Sequence, residues 1–359
     1  MPTAKVNWNQ VVSLMALNVA VVISWIAYHN YQPKVLELFH FEELGFFLVV
    51  AQSLILVFIP PLAGLVGDYM IKKNGNGFVV LTVGIGVTAM TFMAVAFTVG
   101  TSESINLTSA LPFMIVVWLI SMNIFHSPAN SMLDLFAPAK ELPTAMVIMV
   151  VSTELLYAFE NKVSDIVDAI GPVYTFVLGG VLLIVTGYIF MKNTRKINFV
   201  REYEETRGTA SNFVAVLLAG LSLGMVAALI KNWLPGWLQD LNASFISDSS
   251  WLSTFVLVVA AIAAWPLANY VKKVGVGKSV VYGIIGSFIL LGLLYLFPQN
   301  SALALIFCAA LGVSYSYAAV AAFPFALGQL SPARVTMGAG VFFGSVELFE
   351  GIIDVLQSA

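Results

Sequence analysis

Long apolar runs broken at regular intervals by short polar stretches dominate this chain. About eleven runs of roughly 20 residues recur, at 11–30, 43–67, 78–100, 111–133, 143–165, 171–191, 211–231, 250–270, 279–297, 301–322 and 335–356. Each is long enough to cross ~30 Å of hydrocarbon. Backbone groups in lipid must be satisfied within their own segment, so every run is expected to be a helix. The stretch 192–210 is the one long charged interval, and it separates six runs from five. It reads as a linker between two halves, or as an amphipathic helix lying on the membrane surface. The expected organisation is a six-helix bundle over 1–192, a linker over 193–210 and a five-helix bundle over 211–359.

Composition agrees with the pattern. The chain has 359 residues, 60% hydrophobic and 10% charged, with a mean hydropathy of +0.93, too few charges to coat a water-soluble core. Charge is sorted by side. With the amino terminus inside, Lys34, Lys162 and Lys231 fall on the outer face, and the other thirteen of the sixteen Lys and Arg residues fall on the inner face. That bias predicts a multi-pass protein of the cell (inner) membrane with a cytoplasmic amino terminus. No basic stripe interleaved with aromatics is present, which argues against nucleic acid as a partner. The single cysteine, Cys308, excludes an internal disulfide and multi-Cys metal sites. The histidines His29, His40 and His126 make no spaced metal cluster, and no cofactor is expected. H-E-x-x-H and G-x-S-x-G are absent, so the chain offers no enzyme motif. Two sequons, at Asn106 and Asn242, lie in expected outer loops.

The halves repeat each other. Pro61-Leu62-Ala63 followed by Lys72-Lys73-Asn74-Gly75 recurs as Pro266-Leu267-Ala268 followed by Lys272-Lys273-Val274-Gly275, and Pro138-Ala139-Lys140 matches Pro332-Ala333-Arg334. Repeats of this kind are typical of secondary transporters, which place a solute site between two bundles.

Further residues carry a resemblance. Gly64-Leu65-Val66-Gly67-Asp68, ending in Lys72-Lys73, resembles the loop between helices two and three of the major facilitator superfamily, with Ile71 where that loop has a glycine. Ser127-Pro128-Ala129-Asn130-Ser131-Met132-Leu133-Asp134 is similar to the fourth-helix motif of the glycoside–pentoside–hexuronide:cation symporters and sucrose carriers. Pro324-Phe325-Ala326-Leu327 with Gly338-Ala339-Gly340-Val341 resembles their junction of helices ten and eleven. Sucrose carriers have an arginine near the position of Asn130. The resemblance implies an all-α integral membrane bundle of the major-facilitator type, working by alternating access. Its twelfth helix is missing before Ala359, which reads either as a fragment or as a dispensable last helix.

Ionisable residues at bilayer depth are the candidates for chemistry, because holding a charge there costs roughly 2.5–3.5 kcal/mol on insertion scales. Glu154 and Glu347 lie near mid-helix in the fifth and eleventh runs, equivalent positions in the two halves. Such carboxyls can take a proton from one side and release it to the other. Glu154, Tyr157, Asn161 and Asp165 share one face of an unbroken helix, with Glu160 off that face as a helix-packing partner. Glu347, Glu350 and Asp354 form a shorter stripe. Trp25, Tyr28, Gln52, Asn123, His126, Asn130, Tyr157, Tyr315 and Tyr317 are candidate cavity liners. His29 and His126 are candidate proton relays, or simply hydrogen-bond partners. Gly64, Asp68, Lys72 and Lys73 are candidates for a cytoplasmic latch in which Asp68 meets a cation or a helix amino terminus across the halves.

The expected function is therefore secondary transport of a small polar organic solute, such as a sugar or glycoside, coupled to a proton or sodium ion. The alternatives are a carrier of drugs, peptides or organic anions, and a non-transporting membrane sensor.

Overall fold

The computed structural model describes residues 5–101, 108–199, 210–238, 250–297 and 301–358, and over these it is all-helical. The first six runs form α1 (Trp8–Leu38), α2 (Gly45–Asn74), α3 (Phe78–Gly100), α4 (Leu111–Ser131), α5 (Leu142–Ala158) with its outward extension α6 (Glu160–Ile170), and α7 (Pro172–Thr194). The last five form α8 (Phe213–Ala228), α9 (Ser250–Val274), α10 (Val276–Leu296), α11 (Ser301–Gly328) and α12 (Val335–Ser358). Ten of these runs are long and apolar enough to cross a membrane. The eleventh, α12, has the length but carries Glu347, Glu350 and Asp354. The sequons and the middle of the charged linker (200–209) lie outside the described residues.

Most helices overrun the expected spans, chiefly at the lysine-rich end. There α2 and α9 continue through Lys72-Lys73 and Lys272-Lys273, each stopping at a glycine with positive φ, Gly75 at 65° and Gly275 at 94°. In both, the glycine N–H bonds the carbonyl four residues back, Ile71 and Val271, at 2.8 Å. The second repeat matches in form as well: 3₁₀ turns at Ala139–Glu141 and Pro332–Arg334 lead into α5 and α12.

Helix α1 packs on α7 and α5, α3 on α4 and α7, and α2 on α4. In the second group, α11 packs on α9 and α10, and α12 on α8. Two seams join the groups, α2 against α12 and α9 against α5. The first is close enough to require glycine. A methyl group on Gly344 would come within 2.5 Å of the Val57 carbonyl oxygen, and one on Gly340 would overlap that of Pro60. Gly340 and Gly344 form a G-x-x-x-G step, the small-residue spacing that lets membrane helices meet backbone to backbone.

Candidate functional site

The lysine-rich end is shut by both seams. On the first, the buried Asp68 carboxylate accepts the N–H groups of Thr336 and Met337 at 3.0 and 2.9 Å. These are orphan donors of the first turn of α12, where the helix dipole also favours an anion. Ser127 Oγ donates to the Thr336 carbonyl at 2.9 Å, tying α4 to the same turn. Lys72 and Lys73 stay exposed, Lys73 lying 5.7 Å from the Tyr69 ring centroid. On the second seam, Asn269 takes the place of the aspartate and is exposed. The contact there is a Lys272–Glu141 ion pair of 3.1 Å.

Between the groups, and away from that end, lies a chamber. Its deeper part, about 200 Å³, is lined by Asn18, Trp25, His126, Asn130, Glu154 and Tyr315, among others. Its outer part, about 280 Å³, includes His29, Gln52, Glu160, Asn232 and Asp354. Trp25, Tyr157, Lys231, Glu347 and Glu350 line both parts, so the two adjoin. The chamber brings the mid-helix carboxyls together: Glu154 comes from α5, and Glu347 faces it from α12. Tyr315 of α11 donates to Glu154 Oε1 at 3.0 Å across the interface. Glu154 Oε2 is buried without a hydrogen-bond partner.

Several candidate residues sit elsewhere. Tyr28 is buried inside the first bundle, its ring stacked on Trp118 with centroids 4.7 Å apart, beside a small apolar cavity of about 30 Å³. Asn123 is buried too, its amide donating to the Leu119 carbonyl at 2.8 Å. Tyr317 accepts from Ser279 Oγ at 3.0 Å. An aromatic or amide in a membrane run satisfies packing as readily as a cavity, and the sequence pattern has no mark for which. Asn130 does line the chamber, and it exchanges hydrogen bonds of 2.9 and 3.2 Å with Asn18. A lone asparagine in the apolar run of α1 was the available sign of that pair.

Two expectations are corrected. The stripe on the fifth run does not continue, because the helix is interrupted at Phe159 (φ −107°, ψ 23°) and its phase changes there. Asn161 and Asp165 are exposed, Asp165 pairing with Lys162 at 3.1 Å, whereas Glu160 lines the chamber. Lys231 is not an outer-loop lysine. It sits in a π-helical turn, Leu229–Trp233, that carries α8 on into Leu234–Trp237. Pro235 has no N–H to donate upstream, and Ser253 Oγ of α9 bonds the Ile230 carbonyl at 2.7 Å. Single π turns occur frequently at functional sites. This one aims the Lys231 ammonium into the chamber, 3.7 Å from the Tyr157 ring centroid and 3.7 Å from Glu350 Oε2. Apolar residues continuing past Lys231-Asn232 to Trp237 were the legible signal.

No protein-family model and no curated protein matches the chain. Solved structures do match. The chain is 12% identical to a bacterial homologue of the iron transporter ferroportin in an outward-facing state with soaked iron, with a TM-score of 0.66, covering 97% of this chain and 90% of that one. It is 13% identical to the major facilitator superfamily transporter FucP in its outward conformation, with a TM-score of 0.64, covering 96% and 89%. At such identities the likeness is one of fold: the chain is a multi-pass membrane protein with a major-facilitator-type bundle. Neither match bears on the narrower resemblance to sugar:cation symporters.

Proposed function

We propose that the chain is a secondary active transporter that moves a small polar organic solute across the cell (inner) membrane by alternating access, coupled to a proton or sodium ion. In this reading residues 1–192 and 211–359 are the rocking bundles, 193–210 links them, and the amino terminus and lysine-rich end are cytoplasmic. A sugar or glycoside is one such solute.

The observation that carries the reading is the chamber itself. Mid-helix carboxyls from both groups of helices line one cavity between them, with Tyr315 and Lys231 bridging to the opposite wall. Glu154 and Glu347 are the coupling groups. When protonation and solute each favour a different facing state, the gradient of one drives the other. Asp68 is the latch: its bonds to the first turn of α12 exist in the state closed at the lysine-rich end and must break for that end to open. Iron, named for one structural neighbour, is not proposed as cargo, since no group of three or more His, Cys, Asp or Glu among the described residues is placed to hold a metal ion.

The test is uptake and counterflow in proteoliposomes with a panel of labelled solutes and an imposed pH or sodium gradient. Accumulation driven by the gradient and abolished in Glu154→Gln is the expected result. Accumulation by Glu154→Gln equal to that of the parent would refute the coupling role.

A further inference from the structure

One cation already occupies the chamber, and the chain supplies it. The Lys231 ammonium rests against the face of Tyr157 at 3.7 Å and beside Glu350 at 3.7 Å. A ring face and a carboxylate are the two contacts that best hold a protonated amine away from water. The surrounding wall is strongly acidic. Glu154 faces in from α5, Glu160 from α6, and Glu347 and Asp354 from α12 beside Glu350. Against these five carboxyls, Lys231 is the one Lys or Arg among the described lining residues. The only imidazoles there, His29 and His126, lie against rings, His29 5.8 Å from Trp25 and His126 4.8 Å from Phe343 by centroid.

Such a wall selects by sign. An anion would enter against the excess of carboxyls. A neutral solute would displace water from them and return no charge in exchange. A cation relieves both costs. The deep end adds an independent sign of a ligand: Glu154, only 6% exposed, holds its Oε2 without a partner. Trp25, Tyr315, Phe323 and Phe343 line the same part of the chamber, so the space that holds this unpartnered acceptor also carries aromatic rings.

We propose that the transported solute is an organic ammonium ion, whose amine displaces that of Lys231 from Tyr157 and Glu350 and is then held by Glu154 among the aromatic walls. The proposal rests on reading the chamber as the transport site. The incoming ammonium adds one positive charge to a lining that carries five carboxyls, and the displaced Lys231 has Glu160, Glu347 and Asp354 on the same lining to turn to. The lysine acts as a tethered competitor that fills the acidic site when no solute is present.

The test is equilibrium binding to the purified full chain in nanodiscs, with no gradient, read by quenching of tryptophan fluorescence and by thermal shift. Three probes share one ring and differ in charge: 2-phenylethylammonium, 2-phenylethanol and phenylacetate. Glucosamine and glucose make a second matched pair. The ammonium member of at least one set should bind saturably and at least about tenfold tighter than its neutral or anionic counterparts, a difference of about 1.4 kcal/mol. Removing the competitor in Lys231→Gln should tighten binding of the ammonium probe by about fivefold, because the fraction of competent sites rises. Glu154→Gln should weaken it about tenfold.

Equal or tighter binding of phenylethanol, phenylacetate or glucose overturns the proposal, as does failure of every ammonium probe to bind up to about 10 mM. Weaker binding in a Lys231→Gln protein that still elutes as a single folded species overturns the exchange. Tight ammonium binding without gradient-driven uptake would instead sink the transport reading. Gradient-driven uptake of an uncharged solute would sink the ammonium proposal and leave transport standing.

Discussion

The two seams that close the lysine-rich end come from repeated sequence, yet they are held by different physics. Both α2 and α9 end in a lysine pair and a left-handed glycine, and both face a helix that begins after a 3₁₀ turn. At α2 a buried carboxylate grips two backbone N–H groups at a helix start. At α9 the corresponding residue is the exposed Asn269, and the join is the Lys272–Glu141 pair, with side chains 26% and 37% exposed. Buried, charge-assisted bonds to backbone donors contribute about 1.5–3 kcal/mol each, whereas exposed ion pairs contribute about 0–1 kcal/mol. A repeated scaffold can thus place nearly all of the closing energy on one seam and leave the other to follow.

The largest disturbance should come from filling the tight seam. Gly340→Leu forces a side chain into the Pro60 carbonyl, an overpacking cost of about 1–3 kcal/mol or more, and it should lower the melting temperature and the yield of monodisperse protein. Asp68→Asn comes next. With Cys308 replaced and Ser127→Cys as reporter, labelling by a hydrophilic maleimide should rise about tenfold or more, since a bias of 1.4 kcal/mol is tenfold in population. Adding Asn269→Asp should not restore closure, because Asn269 is exposed and makes no bond to a helix start. Lys272→Ala should raise labelling by no more than about fivefold, matching its value of at most ~1 kcal/mol. About 1 M salt should mimic Lys272→Ala while leaving Asp68 in force.

The smallest effect belongs to Lys34–Asp168 at the far end, an exposed pair of 2.7 Å that crosses neither seam. Hydrogen bonds from Lys34 and then Asn30 hold the Asp168 carboxyl below its ordinary range. A depressed carboxyl contributes its stability above the unfolded pKa and loses it as pH falls through the folded one. Asp168→Asn should therefore leave labelling unchanged and lower the melting temperature only slightly, the difference being present at pH values above the ordinary carboxylate range and fading as pH falls through it.

Much of this architecture was legible from the hydrophobic pattern. Eleven runs predicted eleven membrane-length helical segments; the repeated Pro-Leu-Ala motifs fell inside α2 and α9, the Lys-Lys pairs in their last turns, and the Pro-Ala-Lys and Pro-Ala-Arg motifs at equivalent 3₁₀ turns. Mid-helix carboxyls at 154 and 347 stood out because charge in an apolar run is costly. The rest depended on interruptions that periodicity does not encode. The phase of α5 changes at Phe159, which moves Glu160 inward and Asn161 outward. The π turn carries Lys231 into the chamber although it counts as an outer lysine by the charge rule. The chemistry of Tyr28 and Asn123 suits a cavity, but neighbouring helices bury both inside the first bundle.

In the proposed cycle the two bundles rock about a chamber whose carboxyls govern the motion. The most direct measurement is the distance between spin labels at Lys73→Cys and Lys273→Cys, the lysine-rich ends of α2 and α9, in nanodiscs across a pH series. Two separations are expected, with a ratio that changes with pH in the parent and no longer responds in the Glu154→Gln, Glu347→Gln double variant. A single separation indifferent to pH, or an unchanged response in the double variant, would contradict that cycle.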